Sequence, residues 1–155
     1  MKQKRIGKYI FVEDDYNYTS TIKLNDCREM ELQLDINYTD VENEYVTNIL
    51  TEIENSSIGD HENSVIWNSY RNYYGTTEFD DIAKGDWALL TSHYTPCWVE
   101  IKLYPLEFRD NLYFIVHCIC DWDDEHGFDL LFCNRRGILA DPNVHPYDAV
   151  SRKMA

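Results

Sequence analysis

The sequence predicts an α+β fold, with antiparallel sheet elements packed against one or two amphipathic helices. Three observations predict it. The run MELQLDI (residues 30–36) alternates apolar and polar residues, and TDVENEYVTNILTEIENSS after it is apolar at helical spacing. Farther on, LYFIVHCICDW and FDLLFCN flank DDEHG in the pattern of a hairpin. The alternation creates a one-sided sheet, and the helical segment supplies a layer to cover it.

In chain order, KYIFVE, TSTIKL and EMELQLDI read as a small antiparallel meander with turns at DDYNY and NDCR. Met30, Leu32, Leu34 and Ile36 share the covered face of the third strand. Tyr45, Val46, Ile49, Leu50 and Ile53 then form the apolar stripe of a helix whose polar face carries Glu42, Glu44, Glu52 and Glu54. Thr39 and Glu42 fit a capping box. A second helix is expected over ENSVIWNSYRNYYG, with Ile66, Trp67, Tyr70, Tyr73 and Tyr74 as an aromatic core stripe and Gly75 as its stop.

Residues 76–85 read as an exposed connection or a short helix. CWVEIKLYPLEF should hold one or two strands, interrupted near Pro105. In the hairpin, Leu112, Phe114, Val116, Cys118, Cys120 and Trp122 share one face, and Tyr113, Ile115, His117, Ile119 and Asp121 the other. Apolar residues on both sides mark a central strand. The tail DPNVHPYDAVSRKMA has weak periodicity and is expected to cross the surface or add a short helix.

The 155 residues suit one compact domain, 1–155, with room for flexible termini. A formal charge of −14 opposes nucleic-acid phosphates and anionic membranes and favours a basic protein partner. No apolar run is long enough to span a bilayer, and MKQKRIGKYIFVEDD lacks the apolar region of a signal peptide. The expected location is therefore the cytoplasm, where Cys27, Cys97, Cys118, Cys120 and Cys133 would be reduced thiols.

The segment CDWDDEHGFD concentrates ionisable groups of the kinds that three chemistries use. A zinc site would need Cys118 and Cys120 with Cys133 or His126, but alternation places both thiols among core residues, where they act as small hydrophobes. A calcium loop is opposed by the late position of Gly127 and the missing distal glutamate. No metal or other cofactor is therefore expected. General acid–base chemistry could use Glu125 and His126, or His126 and Asp123, beside an aromatic pocket of Trp122 and Trp98. The simpler alternative is a turn in which Asp123 or Asp124 accepts backbone N–H groups, Gly127 adopts a restricted conformation and His126 fixes the hairpin. No nucleophile elbow or phosphate-binding glycine loop accompanies these residues.

The stretch Trp122-Asp123-Asp124-Glu125-His126-Gly127 resembles the tryptophan-aspartate-any-glutamate-histidine-glycine signature of small bacterial proteins of unknown function. Leu130 to Phe132 match the residues that follow it, and Asp124 occupies the variable place. Proteins of that class include some assigned to immunity against bacterial toxins. The resemblance therefore implies a protein-binding role.

These readings give an immunity-like binding protein whose acidic surface engages a basic protein, a toxin being one such partner. Its candidate contacts are Glu42, Glu44, Glu52 and Glu54 on the first helix with Trp122, Asp123, Asp124, Glu125 and His126. The alternative is an enzyme using Glu125 and His126. A third reading, a structural module of a larger assembly, would require a stable homomeric interface. The sequence leaves the oligomeric state open.

Overall fold

The computed structural model describes residues 2–74 and 82–144. Its centre is an eight-stranded sheet in sequential order: β1 (Gln3–Ile6), β2 (Tyr9–Glu13), β3 (Asn17–Lys23), β4 (Glu29–Asp35), β5 (Tyr94–Ile101), β6 (Tyr113–Cys120), β7 (Asp123–Cys133) and β8 (Arg136–Asp141). Helices α1 (Asn43–Glu54), α2 (Asp60–Tyr74) and the short α3 (Trp87–Thr91) all lie between β4 and β5. The fold is therefore α+β.

Neighbouring strands are antiparallel except β4 and β5, which run parallel. The helices explain the exception: a long helical crossover returns the chain to the same end of the sheet, so the next strand enters in the same direction. β1 was not anticipated from sequence, because KRI is short and strongly charged. Gly7, at φ +60°, turns it back into β2.

Met30, Leu32 and Leu34 are buried as their alternation requires, while Ile36 lies in the turn after β4 and is half-buried. Against them α1 buries Val46, Ile49, Leu50 and Ile53. A 3-10 turn over Asp40–Glu42 leads into α1. Glu42 Oε2 accepts the backbone N–H of Thr39 at 3.1 Å and its hydroxyl at 2.6 Å. Those bonds, the hydroxyl's first, hold the Glu42 carboxyl below its ordinary pKa.

In α2, Ile66 and Tyr70 are buried and Trp67 is half-buried, donating its indole N–H to the Ile82 carbonyl at 3.0 Å. The expected stop at Gly75 and most of the 76–85 connection lie outside the described residues, as does the tail from 145. The segment with Pro105 holds one strand, β5, after which Pro105 opens a 3-10 turn over Leu106–Phe108. Pro96 sits inside β5 beside a register shift between Pro96 and Trp98, which relieves the ladder of its missing N–H.

The two ends of the sheet are treated differently. Among the described residues β1 has no further strand beside it, whereas β8 is covered by α2. The buried Glu62 carboxylate accepts the N–H of Gly59 at the start of α2 and that of Gly137 in β8, both at 3.0 Å. His61 Nε2 lies 2.9 Å from the Gly137 carbonyl oxygen. The outward N–H of Gly137 is thus occupied and its carbonyl is covered by the His61 ring, which closes that edge position to another strand. A side chain at Gly137 would put its Cβ 2.7 Å from Glu62 Cγ, so the arrangement requires glycine.

Beyond the helix-covered core, a second apolar cluster forms on the opposite face of β6–β8. It joins Tyr113, Ile115, Leu131 and Leu139 to Tyr104, Phe108 and Val144. β6 is consequently packed on both sides over most of its length. That cover stops before Ile119, which is 61% exposed.

Candidate functional site

The hairpin between β6 and β7 turns earlier than its sequence suggests. β6 ends at Cys120, the turn is Asp121–Trp122, and DDEHG is already the start of β7. Cys120 pairs with Asp123 and Cys118 with Phe128, so Ile119 alone faces Asp124, Glu125, His126 and Gly127. The segment is a wide bulge rather than a turn. Trp122 explains the early reversal: its ring stacks on Phe128 at 5.6 Å and contacts Tyr70 and Tyr94, drawing the turn onto the aromatic core.

Inside the bulge, Asp123 Oδ1 accepts the His126 backbone N–H at 3.1 Å and lies 3.2 Å from His126 Nδ1. Gly127 has φ +63°, and a Cβ on it would lie 2.1 Å from the Cys118 carbonyl oxygen. The backbone there passes too close to β6 for any side chain. The turn is also tied to the residue before β5, since the Asp121 N–H donates to the His93 carbonyl at 2.9 Å and His93 Nδ1 lies 3.0 Å from Asp121 Oδ2. Trp122, Asp123, His126 and Gly127 are thereby engaged in building the bulge. Asp124 and Glu125 are exposed and make no hydrogen bond or ion pair with any described residue.

The environment of His126 bears on acid–base chemistry. Its side chain is 68% exposed, without the enclosure that keeps water from a general base. Trp122 and Trp98 do not frame a common pocket with it. Trp122 joins the helix-side core, whereas Trp98 stacks on His117 on the other face of the sheet. Strand alternation separates the two indoles.

On that other face a continuous cross-strand row runs Thr21, Glu31, Trp98, His117, Asp129 and Asp141, from β3 to β8. The rings of Trp98 and His117 are 3.5 Å apart and 16° from parallel. His117 Nε2 meets Glu100 Oε1 at 2.9 Å and Nδ1 meets Asp129 Oδ1 at 2.5 Å. Burial works against a charged His117, but hydrogen bonds and charge from Asp129 and Glu100 outweigh it and raise its pKa. With both nitrogens occupied, the ring is a clamp joining three strands. Toward β2, this face is open: Ile10 is 51% exposed, and Glu29 and Glu31 are exposed, with no described residue above them.

The four helix glutamates do not form one free acidic surface. Glu42 caps its helix, Glu52 meets Arg135 Nε at 2.7 Å, and Glu54 accepts from Lys8 at 2.9 Å and from the Tyr9 hydroxyl at 2.5 Å. Glu44 alone is exposed with no partner among the described residues. The turns at Gly7 and Asn134–Arg135 bring basic residues to α1, and short-range sequence patterning carries no sign of such long-range pairs.

Cys118 and Cys120 are buried, and burial raises both thiols, Cys118 well above its ordinary value and Cys120 to about 11. All five cysteines are free. Among the described residues no group of three or more histidine, cysteine or acidic side chains is placed to hold a metal ion, and no helix is long and apolar enough to cross a membrane.

A family model for a domain of unknown function, DUF6985, matches residues 9–149. The chain belongs to the DUF6985 family. No curated protein and no solved structure matches it significantly. The region matched to DUF6985 runs from β2 through β8 and so contains the bulge, the Trp98–His117 pair and all three helices. Within it, sequence reasoning missed the partnership of Glu100, His117 and Asp129. The available signal was a single acidic or imidazole side chain inside each of three apolar strand runs, WVEI, IVHCI and FDLLF. Such residues need partners when buried, and register brings these together.

Proposed function

We propose that this protein is an immunity-like binding protein whose acidic surface engages a basic protein. The observation that carries this reading is the open sheet face. Exposed Ile10 and Ile119 and half-buried Trp98 lie there among Glu29, Glu31 and Glu100, on a chain of formal charge −14. Apolar side chains within a charged border are the composition of an interaction surface, and the net charge speeds encounter with a partner of opposite sign. A basic toxin is the partner class suggested by the resemblance at Trp122–Gly127. In this reading Glu125 and the other acidic residues recognise charge rather than transfer protons.

The test is affinity capture from native lysate at low and moderate salt, with wild type beside a Glu29→Lys, Glu31→Lys, Glu125→Lys variant. The expected result is a basic protein retained by the wild type and lost by the variant. Retention of the same protein by both, or recovery of acidic proteins only, rejects the reading.

A further inference from the structure

The bulge and the uncovered end of β6 meet at one point. Ile119 is the residue opposite the bulge, its cross-strand neighbour on β5 is the exposed Thr95, and His117 beneath Trp98 lies two positions back on the same face. The other residues on that side of β6 are covered, Tyr113 and Ile115 by Tyr104 and Phe108, and His117 by Trp98. Only Ile119 is left bare, at the turn end of a strand that has neighbours on both sides.

Four residues of β7 occupy the length that Ile119 spans alone. Two of them are held: the Asp123 carboxylate accepts the His126 N–H, and the Gly127 backbone lies close against the Cys118 carbonyl. The two residues between Asp123 and His126 are the carboxylates Asp124 and Glu125, both exposed and unpaired among the described residues. A bulge re-aims the side chains it carries, and the register places these two carboxylates on the stretch of β7 opposite the bare isoleucine.

Resting on the basic-partner reading, we propose that Ile119 with Asp124 and Glu125 is the contact point. It takes an apolar side chain of the partner flanked by arginine or lysine. Ile119 removes the apolar group from water, and the carboxylates select the flanking cations and give the contact its sign. Charge decides the occupant, because a second copy of this chain would bring an equally negative surface.

Two acetylated, amidated peptides test this, Arg-Gly-Leu-Gly-Arg and Arg-Gly-Gly-Gly-Arg, titrated at low salt into the 15N-labelled full chain. The expected result is amide shifts centred on Thr95, Ile119, Asp124 and Glu125, with the leucine peptide binding several-fold tighter. Ile119→Thr, which keeps a β-branched residue in the strand, should remove that difference, and Glu125→Lys should weaken both peptides. Shifts centred on α1, or a leucine preference unchanged in Ile119→Thr, overturn the placement while leaving a basic partner in force. Absence of shifts from either peptide overturns both.

Discussion

His117 lies face to face with Trp98, ring centroids 3.5 Å apart, while its two nitrogens bridge Glu100 on β5 and Asp129 on β7. Burial disfavours the imidazolium, yet the two carboxylates prevail and raise the pKa above the ordinary 6.5. A raised folded-state value means that protonation stabilises the fold fully below the unfolded-state pKa, and that this contribution is lost as pH rises through the folded value. The urea midpoint should therefore fall on going from pH 6 toward pH 9, and His117→Gln should lack that fall. Trp98 emission should rise over the same interval as the stacked cation is discharged. A histidine titrating at or below 6.5 by NMR would reject the clamp.

Gly127 and Gly7 have nearly the same φ, +63° and +60°, but different surroundings. An alanine at Gly7 meets open space and should cost only the left-handed conformation, about 1 kcal/mol. At Gly127 the added carbon would collide with the Cys118 carbonyl, so the bulge must shift or the strands part. Gly127→Ala should cost at least about 2–4 kcal/mol in urea unfolding. Equal losses for the two variants would show that the bulge yields freely.

Glu62 offers a third test, because one buried carboxylate serves two backbone N–H groups on different elements. Glu62→Ala leaves both without an acceptor, an expected loss of about 2–4 kcal/mol. It also uncovers the outward N–H of Gly137. Size-exclusion chromatography at rising concentration should then detect more association than in wild type, through the β8 edge. A variant as stable and as monodisperse as wild type would remove the edge-sealing role.

The layered arrangement was legible because burial imposes period: the alternation in MELQLDI and the stripe through Val46, Ile49, Leu50 and Ile53 each describe a single covered face. Both faces of β6 were likewise readable from LYFIVHCIC. What sequence did not reveal depends on register and crossing. The turn at Asp121–Trp122 is decided by the aromatic contacts of Trp122 with Tyr70 and Tyr94, far away in the chain. Glu52 and Glu54 look solvent-bound along their helix but are claimed by Arg135 and Lys8 across it. Near the candidate contact point, Gly127 and Asp123 announced local backbone demands. Ile119 gave no warning, because its exposure arises from where the cover by Tyr104 and Phe108 ends.

That cover contains the last test. The Tyr104 hydroxyl is buried and has no hydrogen-bond partner among the described residues, while its ring meets Tyr113 edge-on with centroids 6.1 Å apart. Burial first, then nearby negative charge led by Glu100, pushes this phenol far above its ordinary pKa. Tyr94 is the matched contrast: its hydroxyl donates to buried Asn63 Oδ1 at 2.6 Å. Tyr104→Phe removes a desolvated group and no hydrogen bond, so it should be neutral or stabilising by up to about 1 kcal/mol. Tyr94→Phe strands the Asn63 oxygen and should cost about 1–3 kcal/mol. Parallel urea titrations of the two variants decide the matter. A loss at Tyr104 as large as that at Tyr94 would mean that its hydroxyl has a bonded partner, such as an ordered water bridging toward Glu100.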